Sequence, residues 1–189
     1  MSERYELRFA GSGGQGVILA SVILAEAAVI SGLNTVQSQA YGPEARGGVS
    51  KAETILSRGQ IWFSKVKNPD FLLALTQASV NAYAGALKEG GVMMIDDSLQ
   101  APENFPAQRL ICAPILETAV TVVGKAFTAN IVAVGAINAA LQFFTDEELM
   151  EAVKRHIPAG TEDINRKALD AGKELISAEQ AAAFAHHLG

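Results

Sequence analysis

The chain has 189 residues, 49% hydrophobic and 19% charged, with a mean hydropathy of +0.20; this length holds one domain with a substantial core, and the apolar excess fits a sheet covered on both faces or a surface committed to a partner. Lys and Arg number 15 against 20 Asp and Glu, a net charge of −5, and no basic cluster interleaved with aromatics is read anywhere along the chain, so nucleic-acid binding is not expected. The one cysteine, Cys112, excludes an internal disulfide and an iron–sulfur cluster held wholly by this chain, since such a cluster needs about four thiolates. The start MSERYELRF is charged, and the longest apolar stretch, Val17 to Ile30, is interrupted by Ser21 and Glu26 and falls short of the ~20 residues that span a bilayer. A soluble, cytoplasmic protein without membrane contact is expected.

In chain order, YELRFA alternates as a short strand, runs into GSGGQG, and is followed by the helix formers VILASVILAEAAVI. Ser31-Gly32 ends that helix and Asn34 to Gln39 alternates again, which predicts a βαβ unit and a parallel sheet. AYGPEARGG is too rich in Gly and Pro for regular structure. Val49 to Leu56 alternates as a strand, Ser57 to Gln60 turns, and Ile61 to Val66 is expected as the hairpin partner, closed by Pro69. Asp70 to Leu75 predicts a buried strand leading into a helix from Ala78 to Lys88, and Val92 to Ile95 another strand, ending in Asp96-Asp97. Arg109 to Cys112 is the last strand expected. Thr128 to Leu141 predicts a helix crowded with Ala129, Ala133, Gly135, Ala136, Ala139 and Ala140, small residues that allow close packing. Thr145 with Glu148 forms a capping box for a helix over Glu147 to His156, and Thr161 to Lys173 is a further amphipathic helix before an alanine-rich helical end. The expected architecture is α/β: a Rossmann-like open, mostly parallel sheet with helices on both faces and a C-terminal helical extension. It is read as one domain, with an α/β core over residues 1–142 and a helical clasp or subunit contact over 143–189.

Two motifs carry chemistry. In GSGGQG the residues Gly11, Gly13, Gly14, Gln15 and Gly16 follow a strand and open a helix, where backbone N–H groups and the helix dipole attract an anion and glycines allow a phosphate to approach. Gly11, Gly13 and Gly16 satisfy the dinucleotide spacing, but no acid occurs between Glu26 and Glu44 to hold a ribose. Two readings stand: a phosphate contact, or a tight turn that permits close helix–sheet packing. The second motif, Tyr41, Gly42, Pro43, Glu44, Ala45, Arg46, Gly47 and Gly48, follows the second predicted strand at its carboxyl end, where open α/β sheets bind ligands. Arg46 offers a bidentate grip on phosphate or carboxylate, and Glu44 either faces the ligand or holds Arg46 in a purely structural pair.

The remaining candidates have plainer readings. His156, His186 and His187 lie near predicted helix ends and are read as solvated rather than as metal ligands; no metal site and no catalytic residue is assigned. Asp96-Asp97 is read as a cap or turn, because successive strand residues point to opposite faces. Cys112 is read as a small buried hydrophobe without a neighbouring base. Lys125 and Asn130 flank a helix start.

Taken in order and spacing, GSGGQGVILASVILAEAA, QSQAYGPEARGGVSKAE, NPDFLLALTQ and FTANIVAVGAI resemble the gamma subunit of 2-oxoacid:ferredoxin oxidoreductases over about the first three-quarters of the chain. YGPEARGG followed by Ser50-Lys51 is most similar to the 2-oxoglutarate type. The resemblance implies a multi-subunit enzyme that decarboxylates a 2-oxoacid on thiamine diphosphate with magnesium, passes electrons through iron–sulfur clusters to ferredoxin, and delivers the acyl group to coenzyme A, with those cofactors carried by partner chains. It implies that the glycine turn, the Arg46 loop and Asn130 shape a coenzyme A or substrate cleft and that other faces dock on the catalytic chains. A stand-alone Rossmann-type nucleotide enzyme using GSGGQG is the alternative, and the apolar composition also permits a homodimer.

Overall fold

The computed structural model describes residues 4–40 and 49–186. Six strands form one sheet in the order β2-β3-β1-β4-β5-β6: β1 (Arg4–Gly11), β2 (Asn34–Ala40), β3 (Ser50–Ser57), β4 (Phe71–Ala74), β5 (Val92–Asp96) and β6 (Leu110–Ala113). β1, β4, β5 and β6 pair in parallel, whereas β3 is antiparallel to both β1 and β2. Five strands therefore share a direction and β3 alone runs against them. This corrects the βαβ expectation in one respect: β1 and β2 are co-directional but not neighbours, because β3 fills the slot between them. The burial of the strands explains the choice. β3 is buried along nearly all its length, which suits an interior position, while β2 is half-exposed and forms the edge.

Helices cover both faces. On one lie α1 (Val17–Ile30), α4 (Ala129–Leu141), α5 (Asp146–Lys154), α6 (Glu162–Glu174) and α7 (Ala178–Phe184), sharing a core that includes Leu7, Phe9, Ile23, Leu73, Val132, Ile137, Leu149, Val153 and Leu169. On the other, Leu72, Ala74, Met93 and Ile95 pack against Val80 of α2 (Gln77–Tyr83) and against Ala84. A short α3 (Ile115–Thr118) leads through an irregular turn to α4. The tightest helix contact is between α4 and α6: a methyl added at Gly135 would collide with the Leu169 carbonyl, and one at Gly172 with the Val132 carbonyl. The capping box forms as expected, Thr145 Oγ1 accepting from Glu148 N while Glu148 Oε2 accepts from Thr145 N. Among the described residues no helix is long and apolar enough to cross a membrane.

Three further expectations need correction. Ile61 to Val66 is irregular rather than a hairpin strand: its carbonyls are taken by arginine side chains, Arg4 Nη1 donating to Phe63 O and Arg8 Nη2 to Val66 O and Lys67 O, which leaves no ladder to form. The helix expected to reach Lys88 stops at Tyr83 and tightens into a 3-10 turn over Ala84–Ala86. Cys112 is exposed, because β6 is the free edge of the sheet and Cys112 occupies its outward face between buried Ile111 and Ala113.

Candidate functional site

The carboxyl end of β1 delivers Gly11 to the start of the turn, and Gly16 caps α1 in the left-handed region at φ 69°. Gln15 holds the turn from inside. Its Oε1 accepts from Ser12 N at 2.7 Å and its Nε2 donates to Leu75 O at 3.0 Å, tying the turn to the end of β4. A Cβ at Gly11 would come within 2.7 Å of Gln15 Oε1, so a side chain there would displace the glutamine that holds the turn. Gly13 and Gly14 face open space, Gly14 at φ 95°.

The N-terminus of α1 has no side-chain cap and no acid in its first turn, so its leading N–H groups keep their capacity to donate outward. Beneath it lies Asn130, the second residue of α4. A Cβ on Gly16 would be 2.7 Å from Asn130 Nδ2, so the bare glycine is what lets the amide sit against the turn. Asn130 is 5% exposed, and its Oδ1 is buried without a hydrogen-bond partner among the described residues. An uncapped helix start and an unsatisfied buried amide thus meet at one point, which is a place for a ligand with both anionic and hydrogen-bonding character.

The residues Tyr41, Gly42, Pro43, Glu44, Arg46, Gly47 and Gly48 lie outside the described residues. The strands on either side of them reach the same end of the sheet as the glycine turn: Ser50 pairs with Gly11, and Ala40 with Lys51. The anchors of the second motif therefore stand one strand (Ser50) and two strands (Ala40) from the first, at spacings of about 4.8 Å per strand.

Other candidates separate from this place. Asp96 is 2% exposed and acts as a local cap, its carboxylate accepting from Ser98 N, Ser98 Oγ and Leu116 N. His156 Nε2 is 3.6 Å from a Glu26 oxygen, His186 packs tilted by 46° against Tyr5 with ring centroids 4.5 Å apart, and His187 lies outside the described residues. Lys125 is exposed just before α4, its backbone N donating to Ala119 O. Among the described residues no three His, Cys, Asp or Glu gather as a metal site. A hollow of about 410 Å³ bordered by Asn138, Phe144, Asp146 and Lys173 belongs to the other end of α4, and its best polar groups are engaged, Asn138 with the Phe144 backbone and Lys173 with Asp146. Sequence reading missed the tie from Gln15 to Leu75 and the meeting of Gly16 with Asn130, since only the fold brings those positions together.

A mixed six-stranded sheet with helices on both faces and a glycine turn at the carboxyl end of a central strand defines an α/β domain. The chain belongs to the pyruvate ferredoxin/flavodoxin oxidoreductase family, whose profile matches residues 6–175. It is 42% identical to the 2-oxoglutarate synthase subunit KorC of Methanothermobacter marburgensis over 92% of this chain and 97% of that protein. It is 37% identical to the ketoisovalerate oxidoreductase subunit VorA of Methanothermobacter thermautotrophicus, covering 89% of this chain but 35% of that longer one. Among solved structures, the keto/oxoacid ferredoxin oxidoreductase gamma subunit of Geobacter sulfurreducens matches with a TM-score of 0.81 at 41% identity, over 97% of this chain and 99% of that one. A 2-oxoglutarate:ferredoxin oxidoreductase chain of Magnetococcus marinus, at 21% identity, shares the fold with a TM-score of 0.80 over 93% of this chain and 31% of its own. The expected resemblance to a gamma subunit is borne out, and these relatives support the subunit reading rather than the stand-alone nucleotide enzyme.

Proposed function

We propose that this chain is the gamma-type subunit of a complex that oxidatively decarboxylates a 2-oxoacid, 2-oxoglutarate by preference, to the acyl-coenzyme A and passes the electrons to ferredoxin. The relation to KorC and the YGPEARGG segment support the substrate. Thiamine diphosphate, magnesium and iron–sulfur clusters belong to partner chains in this reading. One exposed cysteine offers a single thiolate where a cluster needs about four, so no chemical step is assigned to this chain.

Its own contribution is to hold coenzyme A. The N–H groups opening α1 donate to a phosphate, Gly13 and Gly14 let it approach without side-chain interference, Asn130 orients it from below, and Arg46 contributes a charge-assisted contact. The observation that carries this reading is the uncapped helix start at Gly16 with the Asn130 amide against it, Nδ2 facing the glycine and the buried Oδ1 left to accept from a hydroxyl or amide of the ligand.

Kinetics of the assembled complex test it. Asn130→Asp sets a negative charge where a phosphate would bind, so the KM for coenzyme A should rise by on the order of 10-fold or more, the size of one hydrogen bond to a charged group. The KM for 2-oxoglutarate should stay constant. A rise confined to the oxoacid KM would reassign the site to the oxoacid; no change in either would remove it.

A further inference from the structure

The stretch RGQIWFSKVK, residues 58–67, holds three cations and no acid in a chain of net charge −5. It corrects the expectation that no basic cluster interleaved with aromatics occurs along the chain. At its middle Trp62 is 84% exposed and Phe63 52%, a pair of large apolar side chains that water solvates poorly. The backbone beneath them is pinned to the sheet. Arg4 Nη1 donates to Phe63 O at 2.7 Å, and Arg8 Nη2 donates to Val66 O at 2.9 Å. Arg8 is itself fixed in a buried ion pair, 2.7 Å from Glu53 Oε1, and Val66 tucks under the strap. A strap fastened at two points thus holds two aromatics outward before anything binds, which lowers the ordering cost of docking.

We propose, building on the subunit reading above, that this strap is the surface on which another subunit of the complex docks, and that the docking face of that subunit is apolar at its centre and acidic at its rim. Three observations select this occupant. Lys65 and Lys67 follow the aromatics, are exposed, and have no acid paired with them among the described residues, so the complementary surface is anionic. A second copy of this chain is a poor fit, because a two-fold contact through the patch would set the two cationic rims against each other. The same domain is 35% of the VorA chain and 31% of the Magnetococcus marinus chain, so in those proteins it is joined to further protein. Aromatic anchors ringed by charge dominate the energetics of such interfaces.

The test is capture of the tagged full-length chain from its native cell, with recovered chains identified by mass and assayed for 2-oxoacid-dependent reduction of a viologen dye. The parent should bring down partner subunits and activity. W62S/F63S should lose at least 10-fold of both while keeping the parent's circular dichroism and thermal midpoint, since neither side chain enters the core. K65E/K67E should lose partner subunits as well, and provides the answer if the first variant folds poorly. Full recovery of partners by both variants would overturn the docking surface and leave the subunit reading standing. A parent that captures no oxidoreductase subunits would overturn both. Parent binding to phosphatidylserine vesicles or RNA that the variants lose, with assembly intact, would reassign the strap to those ligands and overturn the proposal.

Discussion

Cys112 sits on β6 with its thiol on the exposed face, yet two influences push its pKa up: partial desolvation first, then the nearby charge of Asp97. A raised pKa means less thiolate at any given pH, so alkylation by iodoacetamide at pH 7 should run slower than that of a free cysteine. The rate should climb only above the usual thiol range, and Asp97→Asn should speed it by removing the second influence; a pH profile of labelling followed by mass spectrometry checks both. ICA is an apolar run in the sequence, but whether its middle residue faces the core depends on whether another strand or helix covers that side, and none of the surrounding letters encodes this. Asp96 was legible as a cap or turn because two successive acids at a strand end point to opposite faces, although its partners, Ser98 and Leu116 N, were not. Asn130 stood out by its motif, while its seat against Gly16 did not.

Elements whose determinants are local were readable. The α5 capping box spans four residues, and the glycine turn announces itself between a strand and a run of helix formers. Their partners were not readable, since β3 chooses β1 over fifty residues of chain by burial on both faces. α4 and α6 lie between these cases: the small residues signalled close packing without naming the neighbour. Their backbones meet through Gly135 and Gly172. A methyl at either site has only a rigid carbonyl to displace, so Gly172→Ala should destabilise the chain by about 3 kcal/mol, the upper range for overpacking. Gly85→Ala, where the added methyl meets open space, should stay within about 1 kcal/mol of the parent. Urea titrations of the two variants compare them directly. Equal midpoints would mean the helices separate at little cost.

Across the whole molecule, α4 is the central pillar. Nearly every residue from Ala129 to Leu141 is buried, and one continuous core runs from Tyr5 of β1 to Ile176 beyond α6. The reading of residues 143–189 as a helical extension of one domain leads to a specific expectation: the chain unfolds in a single transition, with calorimetric and van't Hoff enthalpies equal. Two resolved transitions would mean that the last helices melt by themselves. A chain cut after residue 142 would uncover the faces of Val132 and Val134 to Leu141 that the last helices now shield, and should be recovered in the pellet rather than in solution.

The antiparallel β3 also sets a timetable for biosynthesis. β1 lies at the heart of the sheet, yet both of its neighbours, β3 and β4, are encoded downstream of α1 and β2. A nascent chain emerging from the ribosome therefore presents Tyr5, Leu7 and Phe9 for on the order of seconds, at roughly 5–20 residues per second, before residue 57 emerges to close the first edge. During that interval the strand destined to be the most protected is the one that most needs a chaperone.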